Sequence, residues 1–274
     1  MQYSNFTYEE IKNSIANYEV TCRLLIRLAK DEDTKIKMQE ILLNGGYNGF
    51  NIHSSLTSKN NPLIEAQRRL SYAYLALRNP KTFDTVVENN INLYHGTKAT
   101  NLRSILKHGL CTIDESSKQG ISINTGEEWS RVNGTRDFIS FTDIPDIAEG
   151  YASIHEDPND PLSFEMIIGI TEEDAIKSKI CPIGSDIPEI GIKNTIPPEN
   201  IRTIFVPTEK LELTKSMLEN TGIKVCSVDE SKGKFYYFDD MFCVYLSEPT
   251  YKQLIGNLMN QNMEMTEETI SRTL

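Results

Sequence analysis

The stretch Leu93-Tyr-His-Gly-Thr-Lys-Ala-Thr-Asn-Leu-Arg-Ser-Ile-Leu-Lys-His-Gly-Leu110 decides how the chain is read. Leu93 to Thr97 has the pattern of a short strand. A helix is expected over Thr100 to His108, and Gly109 stops it as a C-terminal cap. Before Asn92 the grammar is different. Residues 7 to 45 read as helical, with Thr7 and Glu10 as a capping box and Ile11, Ile15, Val20, Leu24, Leu25 and Leu28 at helix-like intervals. Gly45-Gly46 ends that pattern. Residues 46 to 62 read as a polar loop. A second helix is expected from about Leu63 to Leu77, closed by Asn79-Pro80.

After Gly109 a polar segment, Asp114 to Arg136, contains Gly120, Gly126 and Gly134 and reads as one long loop of the kind that is usually functional. Phe138-Ile-Ser-Phe-Thr142 alternates like a strand, and Pro145 to Ala152 resembles a short helix. Strands are expected at Phe164–Ile170, from Glu189, and at Ile201–Val206. A helix over about Leu211 to Asn220, short β segments near 223–228, 234–238 and 242–246, and a polar helical tail follow.

Composition bounds the function. The 274 residues carry 28 Lys+Arg against 39 Asp+Glu, a net charge of −11. Such a field repels polyanions, which opposes a role in gripping nucleic acid or an anionic membrane. Five cysteines, Cys22, Cys111, Cys181, Cys226 and Cys243, form no C-x-x-C pair, so they read as reduced and mostly buried thiols with no zinc knuckle. The polar, acidic N-terminus lacks the basic and apolar regions of a secretory signal. No apolar run approaches the roughly 20 residues that a membrane span needs. The expectation is a cytoplasmic protein, with delivery to another cell by a route without a cleaved signal left open.

The 18-residue stretch resembles the first active-site strand and helix of the ADP-ribosyltransferase superfamily, in its diphtheria-toxin and poly(ADP-ribose) polymerase branch. There an aromatic residue and His-Gly-Ser/Thr precede Ile-Leu-x-x-Gly-Leu. Two further segments follow in the family's order. Phe138-Ile-Ser-Phe-Thr-Asp-Ile-Pro-Asp-Ile-Ala-Glu-Gly-Tyr151 resembles its strand and helix, and Glu189-Ile-Gly-Ile-Lys-Asn-Thr-Ile-Pro-Pro-Glu-Asn-Ile201 resembles the segment whose opening glutamate is catalytic. Together they span roughly residues 90 to 207.

The resemblance implies an α+β fold: a split β-sandwich with an N-terminal helical segment, residues 1–90, before a catalytic domain with a C-terminal extension, residues 91–274. It also implies a cleft that binds NAD⁺ and breaks its nicotinamide–ribose bond. Gly96 would clamp the nicotinamide carboxamide through its backbone, and Thr97 would add a hydroxyl. His95 would bond the ribose hydroxyls, and Tyr151 would stack on the nicotinamide ring. Glu189 would stabilise the oxocarbenium-like ribose and orient its 2′-hydroxyl or act as a base. No metal is expected, because nicotinamide departs neutral.

Some positions depart from the family. The polymerase branch has a tyrosine eleven residues before Tyr151, where this chain has Ser140. The toxin branch opens with arginine where His95 stands. A second glutamate two residues before the catalytic one accompanies arginine modification, and that position is Ile187, so arginine acceptors are disfavoured. Glu199 is a competing carboxylate. His53, His108 and His155 read as surface residues. Trp129, Arg131 and Arg136 flank the long loop, where one of them would touch the NAD⁺ phosphates or the acceptor.

The expected function is mono-ADP-ribosyl transfer from NAD⁺ to a protein side chain. The alternatives are transfer to nucleic acid or a small molecule, NAD⁺ hydrolysis, tRNA 2′-phosphotransfer, and a non-catalytic NAD⁺-binding interaction module. The −11 charge opposes the phosphotransferase, and the presence of both His95 and Glu189 opposes the module.

Overall fold

The computed structural model describes residues 22–23, 25–27, 29, 31–57, 62–121, 136–153, 159–182, 188–228, 234–238 and 242–246. The chain divides into two compact units, Met1–Glu230 and Ser231–Leu274.

In the first unit, residues 22–23 and 25–27 are helical, and helix α1 (Glu32–Gln39) follows, continued by a wider turn of helix over Glu40–Asn44. Asp31 caps α1 by accepting from the Thr34 N–H at 2.8 Å. Gly45 ends the segment in the left-handed region, at φ 69°. The capping box at Thr7 and Glu10 and most of the pattern built on it lie outside the described residues, but Leu25 of that pattern is helical and buried, as expected. Residues 46–57 are not simply loop. Strands β1 (Gly46–Tyr47) and β2 (Phe50–Asn51) form a small hairpin. Its turn is Asn48-Gly49, both at positive φ, the dipeptide that suits a two-residue hairpin.

Helix α2 spans Pro62–Arg78, and a further helix, α3, runs over Pro80–Glu88. The Asn79-Pro80 pair ends α2 as expected, but it also starts α3. Proline at the first helical position lacks only an N–H that would be unsatisfied there anyway, so it opens a helix as readily as it closes one.

A seven-stranded sheet follows, in the order β6-β7-β4-β3-β5-β8-β9. Its strands are β3 (Leu93–Lys98), β4 (Ile139–Thr142), β5 (Glu165–Ile170), β6 (Ile180–Pro182), β7 (Glu189–Ile192), β8 (Thr203–Pro207) and β9 (Lys224–Val228). All neighbours are antiparallel except β8 and β9. Between strands lie α4 (Leu102–His108), α5 (Ile113–Lys118), α6 (Pro145–Ser153), α7 (Glu172–Ile176) and α8 (Leu211–Met217). The fold is α+β. Helix α5 falls where a continuous loop was expected. Its capping box, Thr112 with Glu115, is complete on both sides. Helix α7 and strand β6 also went unforeseen, since each is only a few residues long.

Alternation along β3 sorts its residues onto two faces. Leu93, His95 and Thr97 share a face with their partners Ile170, Ile168 and Met166. That face belongs to a core with Leu102 and Ile105 of α4 and Ile204 and Val206 of β8. Tyr94, Gly96 and Lys98 lie on the opposite face, toward α2 and α6. There the Tyr94 ring packs on Phe205 and on Tyr72 of α2.

The sheet splits at its middle. β3 pairs with β5 along its whole length, from Leu93↔Ile170 to Lys98↔Glu165. With β4 it pairs only at Tyr94↔Thr142. β4 is instead laddered to β7 throughout. The two halves therefore part next to Gly96 and Thr97.

The second unit contains an antiparallel hairpin, β10 (Lys234–Phe238) with β11 (Phe242–Leu246), in the register Tyr236↔Val244. No helix among the described residues is long and apolar enough to cross a membrane.

Candidate active site

His95 reaches across the split. Its Nδ1 lies 2.8 Å from the backbone carbonyl of Ser140 on β4, and its ring packs 5.5 Å from that of Phe141. A carbonyl oxygen only accepts, so Nδ1 carries the proton and Nε2 is left as an acceptor. Burial lowers the imidazole pKa below its ordinary value, outweighing the opposite effect of the Ser140 carbonyl. His95 is thus a neutral ring that can receive a hydrogen bond from a hydroxyl.

Ser140 also has a side-chain role. Its hydroxyl hydrogen-bonds the carboxylate of Glu189, the first residue of β7. Ser140 faces Gly191, and Thr142 faces Glu189, so Ser140 and Glu189 are diagonal neighbours on one side of the β4–β7 ladder. Burial raises the Glu189 pKa above the usual glutamate range, and the Ser140 bond offsets part of that rise. Three of the residues chosen from sequence, His95, Ser140 and Glu189, are therefore connected, with Ser140 as the link. Glu199 sits exposed in a short turn of helix at Pro198–Asn200.

Gly96 is held by a constraint different from the one expected of it. A Cβ there would lie 1.9 Å from the carbonyl oxygen of Ala148 and 2.9 Å from the amide nitrogen of Ala152. Helix α6 presses directly on β3 at this point, and only glycine permits it. The β4-facing edge of Gly96 and Thr97 has no strand partner among the described residues, because β3 and β4 have already parted. Thr97 Oγ1 accepts from Asn101 Nδ2 at 3.1 Å and keeps its own proton for another acceptor. Tyr151, on α6, is 47% exposed. It stands as an accessible aromatic face on the helix that backs Gly96.

Of the remaining candidates, Arg136 is bound to Asp114, Nε to Oδ1 at 2.9 Å. His53 is near Glu65, with Nδ1 and Oε2 4.0 Å apart, and partly buried. Trp129, Arg131 and His155 lie outside the described residues. Cys22 is buried, while Cys111 and Cys226 are half-buried free thiols. No cluster of three or more His, Cys, Asp or Glu able to hold a metal ion occurs among the described residues.

Sequence reasoning missed two side chains that shape the site. Asn101 follows Thr97 by four residues and fixes its hydroxyl. Phe141 alternates inward on β4 and backs the imidazole. Asn101 was visible as a polar residue at the helix start. Phe141 looked like ordinary core, and its burial at 1% makes it that as well.

No protein-family model matches the sequence, and no curated protein matches it. Among solved structures, the chain is similar to Thermosipho africanus DarTG in complex with ADP-ribose, at 15% identity and a TM-score of 0.40. The likeness spans 49% of each chain, so this protein covers about half the length of that one.

Proposed function

We propose that this protein is a mono-ADP-ribosyltransferase that moves ADP-ribose from NAD⁺ to a protein side chain and releases nicotinamide. One observation carries the reading: Ser140 ties the acceptor-ready imidazole of His95 to the carboxylate of Glu189 beside the unpaired edge of Gly96 and Thr97. The resemblance of residues 93–110, 138–151 and 189–201 to the superfamily's three active-site segments points the same way.

In this reading the free edge of β3 receives the nicotinamide carboxamide, which needs one donor and one acceptor in fixed geometry. Tyr151 stacks on the ring, where an aromatic face suits a flat cation. Nε2 of His95 accepts from a ribose hydroxyl. The bond between the anomeric carbon and the nicotinamide nitrogen breaks with its electron pair passing to nicotinamide, which leaves neutral. The positive charge that develops on the ribose is stabilised by the Glu189 carboxylate. The acceptor side chain then forms the new bond to the anomeric carbon and gives up its proton, for which Glu189 is the nearby base.

The test is incubation with NAD⁺ labelled in its adenylate half and a cell lysate, with Glu189→Gln as the control. A labelled protein band made only by the wild type supports the proposal. Label appearing only in nucleic acid overturns the choice of acceptor. Nicotinamide release without any labelled acceptor favours hydrolysis, and binding without release favours an interaction module.

A further inference from the structure

Helix α2 grips both strands that flank the split. Arg68 and Tyr72 are one turn apart on the same face of the helix. Arg68 meets Asp143, the residue directly after β4. Its Nε is 2.9 Å from Oδ2, and its Nη2 donates to Oδ1 at 3.2 Å. Both side chains are fully buried. Asp143 also accepts from the Ser54 backbone N–H at 3.2 Å and from the Thr57 hydroxyl. Tyr72 in turn donates to the Tyr94 hydroxyl at 3.0 Å, and Tyr94 donates to the Ile91 carbonyl at 3.0 Å. One helix face therefore holds β3 at Tyr94 and the end of β4 at Asp143. The strands themselves share a single pair, Tyr94↔Thr142.

A buried ion pair of this kind adds little net stability over apolar residues of the same size, because both charges lose their hydration. What it adds here is geometry, since a planar guanidinium on two carboxylate oxygens allows little freedom. We infer that Arg68, Asp143 and Tyr72 are positioning residues, and that α2 is a splint across the split sheet. It fixes the angle at which β4 leaves β3, and through that angle the distance from His95 Nδ1 to the Ser140 carbonyl. The consequence for turnover rests on the transferase reading above, whereas the geometric claim stands without it.

The test uses the full chain with Arg68→Met and Asp143→Asn together, which removes both charges and leaves the Ser54 and Thr57 donors an acceptor. The ¹⁵N shifts of the His95 ring report its tautomer without any turnover. The wild type shows the Nδ1–H form alone, and the folded double variant shows a mixture of tautomers. Nicotinamide release then falls about tenfold in kcat, with KM for NAD⁺ rising less than about threefold. A folded double variant that keeps the single tautomer overturns the splint. Should the wild type release no nicotinamide, the transferase reading fails while the tautomer still decides this one. Should the double variant not fold, Arg68→Lys decides in its place, since it keeps the charge and loses the planar two-point grip on Asp143. A mixed His95 tautomer in Arg68→Lys upholds the splint, and an unchanged one overturns it.

Discussion

The backbone carbonyl of Ser140 faces Nδ1 of His95 at 2.8 Å, across strands that pair with each other at one position only. This contact sets the tautomer of the imidazole and leaves Nε2 as an acceptor. Because burial holds the His95 pKa below its ordinary value, the ring is neutral at physiological pH. NAD⁺ binding is accordingly predicted to stay flat between about pH 6.5 and 8, and His95→Ala to weaken it about tenfold, as one lost hydrogen bond would. Calorimetry at several pH values checks both. The folded protein takes up fewer protons here than the unfolded chain, so this group's stability is present above the ordinary imidazole value. It is lost as pH falls through the folded one.

Gly96→Ala places a methyl group 1.9 Å from the Ala148 carbonyl oxygen. Backbone is at stake on both sides, so α6 must move away from β3. The expected cost is about 1–3 kcal/mol, the range for forcing an extra methyl into a packed interior. Thermal melts measure that cost, and loss of NAD⁺ binding in the folded fraction would show that the shift reaches the site.

Tyr151 is half exposed on α6. Tyr151→Ala should leave the melting temperature within a few degrees and reduce NAD⁺ affinity about two- to tenfold, the worth of one aromatic stacking contact. Tyr151→Phe should retain affinity. Equal losses in the two variants would assign the effect to the hydroxyl and contradict stacking.

Asp146 lies on α6 against α2, near Ser71, and burial raises its carboxyl pKa to about 7. The native protein therefore holds a proton here that the unfolded chain has released above about pH 4. Stability falls as pH rises from about 4 to 7, by up to about 4 kcal/mol for a shift of this size. Asp146→Asn should flatten this part of the pH profile in denaturant titrations, and an unchanged slope would assign the titration to another group.

Much of this was legible in the sequence because the informative signals were local. The strand and helix of residues 93–108 are punctuated by Gly109, and Glu189 opens its strand at the expected residue. What could not be read depends on distance in the fold. Asn79-Pro80 looks the same whether it ends one helix or also begins the next. Gly96 looked like a clamp for a ligand, and only the packing of α6 shows that the helix backbone already demands a glycine. Ser140 looked like a missing tyrosine. In the fold it joins His95 to Glu189 through its carbonyl and its hydroxyl, a pairing set by the β4–β7 register and by the crossing of the split. The Arg68–Asp143 contact joins residues 75 apart, and no pattern along the chain announces it.

In the proposed transfer the Glu189 carboxylate stabilises charge on the ribose during loss of nicotinamide. Nicotinamide release is therefore compared between wild type and Glu189→Gln, with NAD⁺ affinity measured in parallel. Affinity should stay within about threefold while the rate drops by about 10²–10³, the usual loss when one preorganised charge-stabilising group is removed. The wild-type rate should also fall on acidification with a midpoint above the ordinary glutamate value of 4.5, because burial raises the Glu189 pKa. Equal rates in wild type and Glu189→Gln would contradict the assignment.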